Sequence, residues 1–161
     1  MNQSRQPAFK AWIPAAIWLG IITLESTGIA SSDNTSRFLF PFFHWLTGVD
    51  LVRFAVWNHI LRKIGHFVGY FILSLLLFRA WKATIPPRAR KRVDASSSPV
   101  RWCMVWARAS FLMTVLVATL DEWHQTFLPS RTGRWQDVVL DSCAGLVAQV
   151  AIWRYLRRRN S

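Results

Sequence analysis

DEWHQTFLPSRTGRWQDVVLDSCAG, residues 121–145, gathers Asp121, Glu122, His124 and Gln125 into five positions. A turn with Pro129, Arg131 and Arg134 follows, and then Asp137 and Asp141, one helical turn apart. The chain on either side is apolar for longer than the surface of a small soluble domain allows. Ionisable groups set against hydrophobic helices are costly, so they need partners and usually a task. This juxtaposition decides the fold class: an all-α membrane protein with a charged segment between two spans.

Working outward, the upstream span runs from about 102 to 120 and the downstream one from about 138 to 155. Arg108 lies about two turns inside the former, close enough to snorkel back to the basic side. In the latter, Asp137, Asp141, Gly145 and Gln149 repeat every four residues, a polar stripe that should face the bundle interior. Two further apolar runs, about 12–29 and 60–81, give a four-transmembrane-helix bundle in one domain over residues 1–161. The first run follows a positive tail and ends in LESTGIASS, which resembles a signal-peptide cleavage region. A retained helix is preferred, because three more spans follow it.

On the 60–81 span, Lys63, His66, Tyr70 and Leu73 fall on one helix face. Gly65 and Gly69 form a small-xxx-small pair that would let another helix approach. Residues 37–61 are aromatic and apolar but interrupted by Pro41, Gly48, Asp50 and Arg53. Neither RFLFPFFHWLTG nor DLVRFAVWNHILRK is long enough to span alone, so an interfacial segment between spans 1 and 2 is expected. A loop packed over the bundle is the alternative. Residues 82–101, with PPRARKRVDASSSP, read as a basic surface loop.

The net charge of +12 would suit nucleic acid, but the basic residues cluster beside apolar segments. That placement follows the orientation rule for membrane proteins and attracts anionic headgroups, so no nucleic-acid partner is expected. Counting flanking Lys and Arg gives thirteen on the side of the termini and the 82–101 loop against six on the other. Both termini are therefore expected in the cytoplasm. Nine of the ten Trp then fall at the two interfaces, as an aromatic belt requires. All four His and seven of the eight acids fall on the outer side, so a site would face outward. Cys103 and Cys143 have no metal spacing and would lie near opposite faces, so both read as small apolar helix residues.

Lys63-x-x-His66-Phe67-x-x-Tyr70-x-x-Leu73, then Asp121-Glu122-x-x-Gln125-x-Phe127-x-Pro129-x-Arg131, then Asp137-Val138-x-x-Asp141-x-x-Gly145 carry a resemblance. The pattern resembles the VanZ-like family of bacterial membrane proteins and, with the surrounding spans, covers most of the chain. Asp141 stands where many members carry Asn. The resemblance implies a multi-pass bacterial inner-membrane protein with a cell-envelope role. It also implies a link to antibiotic resistance, because the family is named for a protein associated with low-level teicoplanin resistance. It implies no particular reaction.

The constellation supports three readings. In the first it is structural: Asp121 or Glu122 pairs with Arg131 or Lys63, and His66 with Asp137 or Asp141, fastening the spans. In the second, Lys63, His66, Tyr70, Asp121, Glu122, Gln125, Arg131, Asp137 and Asp141 bind an anionic lipid or a lipid-linked envelope precursor by its headgroup. In the third, Glu122 as general base and His66 or His124 as acid act on a lipid-linked phosphate. A metal held by His66, His124, Glu122 and Asp137 is conceivable only if they converge, and no metal or other cofactor is expected. No PSGH-type phosphatase motif, GxSxG or HExxH occurs, so no nucleophile is recognisable. His44, His59 and His124 read as solvated bystanders.

Overall fold

A computed structural model describes residues 8–27, 32–85, 104–129 and 133–159, with the side chains of 32–35 and 38 excepted. Among the described residues there are five helices and no strand: α1 Ala8–Ser26, α2 Ser32–Thr47, α3 Leu51–Thr84, α4 Met104–Gln125 and α5 Trp135–Arg159. Four of them (α1, α3, α4 and α5) are long and apolar enough to cross a bilayer. Their outward faces are apolar too: Ile13, Ile17 and Ile21 on α1 and Leu112, Leu116 and Leu120 on α4 are all exposed. A water-soluble surface does not carry stripes of this size, whereas lipid accepts them without cost.

The inward faces are built from small and polar residues. On α4 the buried positions Ser110, Thr114, Ala118 and Glu122 recur every four residues; on α5 they are Asp141, Ala144, Gly145, Ala148 and Gln149. Small side chains let helix backbones approach, which drives association where there is no hydrophobic effect between helices. Ser74 of α3 supplies the polar contacts: its Oγ donates to Gly145 O at 3.1 Å and accepts from Gln149 Nε2 at 2.8 Å. α3 lies centrally, packed against each of the other four helices. α1 docks on it through Ala15 and Ile22, and Trp18 Nε1 donates to Gly69 O at 2.9 Å.

The bounds of α3 bear on the second half of residues 37–61, which the sequence read as an interfacial segment or a loop. Asp50–Lys63 is not a separate interfacial element but the cap and first turns of α3. The Asp50 side chain accepts from Arg53 N at 2.7 Å, so the charge that looked like an interruption is a helix start. With 34 residues, α3 is about 51 Å long, well beyond the ~30 Å hydrocarbon core of a bilayer. α2 ends at Gly48, whose φ of 67° is the left-handed conformation that favours glycine after a helix. It folds back on the early turns of α3, where Phe40 and Phe43 meet Phe54. Of the Gly65/Gly69 pair, a Cβ at Gly69 would lie 3.9 Å from Ile22 of α1, whereas one at Gly65 would meet nothing among the described residues.

The two ends of the bundle differ. At one, Trp12 packs edge-on against Trp81 at 5.1 Å and donates to Thr84 Oγ1, and α5 finishes in Arg157, Arg158 and Arg159. At the other stand the end of α4, the start of α5 and the Lys63–Tyr70 segment of α3. Cys143 is an exposed thiol on α5. Cys103 and most of the basic 82–101 loop lie outside the described residues.

Candidate functional site at the end of the bundle

The site begins where α4 stops. Backbone N–H groups of Thr126, Phe127 and Leu128 close on the carbonyls of Glu122, His124 and Gln125, a tight turn that ends the helix. The returning strand of loop presses Gly133 against the α4 end: a Cβ there would run into the Glu122 carbonyl oxygen and Thr126. Arg134 N then donates to Glu122 Oε2 at 2.8 Å. Glu122 thus serves as an acceptor at the start of α5, where free N–H groups and the helix dipole favour a negative charge.

α3 and α5 run parallel, which brings their charged faces together in register. Lys63 Nζ donates to Asp137 Oδ1 at 2.6 Å, at the rim, with both side chains partly exposed. One turn deeper, His66 Nδ1 lies 3.5 Å from Asp141 Oδ2, within ion-pair range but outside hydrogen-bond geometry for either atom. One turn deeper again, the Tyr70 ring stacks on His66 with centroids 6.3 Å apart. From α4, Gln125 Nε2 donates to Asp121 Oδ2 at 3.1 Å and across to Ser26 Oγ of α1 at 3.2 Å. All four spans therefore contribute to one polar cluster.

The cluster is satisfied at its rim and not at its centre. Asp141 is wholly buried, yet neither of its carboxylate oxygens has a hydrogen-bond partner among the described residues. The same holds for the Tyr70 hydroxyl, on a residue 1% exposed, and for His66 Nδ1. Buried polar atoms are nearly always paired in a folded protein, so several unpaired ones converging on one point are the mark of a site.

Of the residues singled out in the sequence, Lys63, His66, Tyr70, Asp121, Glu122, Gln125, Asp137 and Asp141 all lie in this cluster. Arg131 lies outside the described residues. Of the two partners expected for His66, Asp141 is the one it meets. Lys63 pairs with Asp137 rather than with the expected Asp121 or Glu122, which accept from Gln125 and from Arg134 N instead. The metal set considered from sequence does not assemble as such. His124 is exposed and Asp137 is taken by Lys63, while Asp141 joins His66 and Glu122, one ligand atom from each within 4.8 Å of the others. His44 caps the end of α2 by donating from Nδ1 to Val49 O at 2.8 Å.

Sequence reasoning missed three contributors. Ser26 faces inward on the stripe of Ala15 and Ile22, while its neighbour Glu25 is exposed; the α1 periodicity carried that signal. The Arg134 backbone N–H and the close approach at Gly133 leave no trace in residue type.

No curated protein and no solved structure matches the chain. A family model described as VanZ/LLP1 matches residues 11–157, which takes in all four spans and both charged segments. The chain belongs to the VanZ/LLP1 family.

Proposed function

We propose that the protein sits in the bacterial inner membrane with both termini cytoplasmic. In this reading the cluster holds the headgroup of an anionic or glycan-bearing envelope lipid at the outer leaflet. The observation that carries the reading is the set of buried polar atoms around Asp141 and Tyr70 without hydrogen-bond partners among the described residues. A latch that only fastened helices would satisfy its own donors and acceptors, since each one left unpaired costs about 1–3 kcal/mol. The charges narrow the ligand further. Asp121, Glu122, Asp137 and Asp141 outnumber Lys63 and His66, so phosphate alone is a poor match. A headgroup offering phosphate toward Lys63 and hydroxyl donors toward the carboxylates fits both halves. In cells the reading extends to an envelope role and to teicoplanin resistance, the phenotype behind the family's name.

Tyr70→Phe tests it. The hydroxyl has no hydrogen-bond partner among the described residues, so its removal leaves thermal stability unchanged or slightly raised. Lipid co-purifying with the protein, quantified by mass spectrometry, falls roughly three- to tenfold, the worth of one hydrogen bond. Undiminished phospholipid or polyprenyl-phosphate in the variant, or none in the wild type, would sink the headgroup reading.

Orientation is tested separately. Alkaline phosphatase fused after Ser31 or Thr132 should be active, and after Ser97 inactive; the reverse pattern inverts the topology. The convergence of Glu122 and His66 also favours a second reading, general acid–base attack on a lipid-linked phosphate. Release of phosphate or a changed headgroup from added lipid is its assay.

A further inference from the structure

His66 comes from α3, Glu122 from α4 and Asp141 from α5, yet one ligand atom of each lies within 4.8 Å of the other two. Crowded carboxylates alone would mean little. Here a second observation accompanies them: Asp141 is completely buried, and among the described residues both its oxygens lack a hydrogen-bond partner, as does the adjacent His66 Nδ1. The nearest described lysine does not neutralise them, because Lys63 is bonded to Asp137 at 2.6 Å. Glu122 is also braced in a manner typical of ligands, by the N–H of Arg134 on Oε2.

We infer that His66, Glu122 and Asp141 form a binding site for a divalent transition cation of the Mn²⁺ or Zn²⁺ kind. One imidazole nitrogen with two carboxylate oxygens is a borderline donor set. It favours such ions over Mg²⁺ and Ca²⁺, which prefer oxygen alone. Donors around one ion at about 2.0–2.2 Å stand roughly 3–3.5 Å from each other, so small side-chain rotations bring these three together. Three protein ligands leave at least one position open, as in sites where the metal meets a substrate oxygen. The site rests on these three side chains and does not require the headgroup reading, although a phosphate oxygen at the open position would join the two.

The test uses the full chain in phosphatidylethanolamine/phosphatidylglycerol nanodiscs, stripped with EDTA. Mn²⁺ is titrated and followed by loss of the free-ion electron paramagnetic resonance signal; Zn²⁺ is measured by elemental analysis after desalting. The wild type is expected to hold about one ion per chain. Asp141→Asn and Glu122→Gln should bind roughly tenfold more weakly or worse. His59→Gln, which alters an exposed histidine elsewhere on α3, leaves binding intact. Size-exclusion and circular dichroism profiles establish that each variant is folded. A folded wild type that binds neither ion overturns the site without recourse to variants. So does binding that survives in both carboxylate variants, or that disappears in His59→Gln. One ion per chain with no retained lipid upholds the metal site and removes the headgroup reading alone.

Discussion

Gly145→Leu loses about 3 kcal/mol of stability or more, the largest effect expected of any single change in the bundle interior. Gly145 sits where α5 crosses α4, and a Cβ there would lie 2.9 Å from Thr114 Cγ2 and 3.4 Å from Thr114 Cβ. Thr114 cannot give way. It is completely buried and β-branched, and its hydroxyl is bonded to Ser110 O at 2.8 Å. A leucine therefore has to push the helices apart, and the Ser74 contacts to Gly145 O and Gln149 go with the separation. Thermal unfolding in detergent should show a midpoint lowered by several degrees, with Gly65→Ala as the control. Gly65 faces open space, so alanine there gains up to about 1 kcal/mol from helix propensity. Equal midpoints for the two variants would refute this account of the α4–α5 contact.

Gly133→Ala comes second, and it damages the site more than the bundle. The added methyl meets the Thr126 side chain and a backbone oxygen of Glu122, and the latter cannot move without unwinding the end of α4. The loop must lift, and the Arg134 N–H that braces Glu122 leaves with it. A cost of about 1–3 kcal/mol is expected from the overpacking and the lost bond together. The sharper readout is ligand binding: lipid retention and Mn²⁺ uptake should both fall while helix content stays near wild type. Binding that persists unchanged would show that Glu122 does not depend on this loop.

The spans were legible in the sequence because lipid imposes a simple demand: about 20 apolar residues with inward small or polar positions at helical spacing. Asp137, Asp141, Gly145 and Gln149 met it, and α5 carries them on one side. The extent of α3 was not legible. Its early turns are held by Phe54 and Asn58 against α2, a tertiary contact that no hydrophobic window reports. The candidate site divides the same way. Its side chains could be named from their types and spacing, but which acid meets Lys63 and which meets His66 depends on the axial register of α3 against α5. The glycine pair makes the point again. Gly65 and Gly69 are equivalent in sequence, and only the rotation of α3 toward α1 gives Gly69 a neighbour.

The register that joins Lys63 to Asp137 also sets a timetable for the protein's birth. The two residues are 74 positions apart in the chain. A ribosome adding about 5–20 residues per second therefore delivers the lysine roughly 4–15 s before its partner. Through that interval α3 is already made while Lys63 and His66 have nothing from α5 to answer them. Lys63 tolerates the wait because it stands near the end of its span, where a long side chain can reach the headgroups. Asp141 arrives after them and lies a turn deeper than Lys63, so it enters the bilayer beside the helix that has been waiting for it. The cluster is thus completed only once α5 is made, and a chain that stalls before α5 exposes its own incompleteness as unpaired charge.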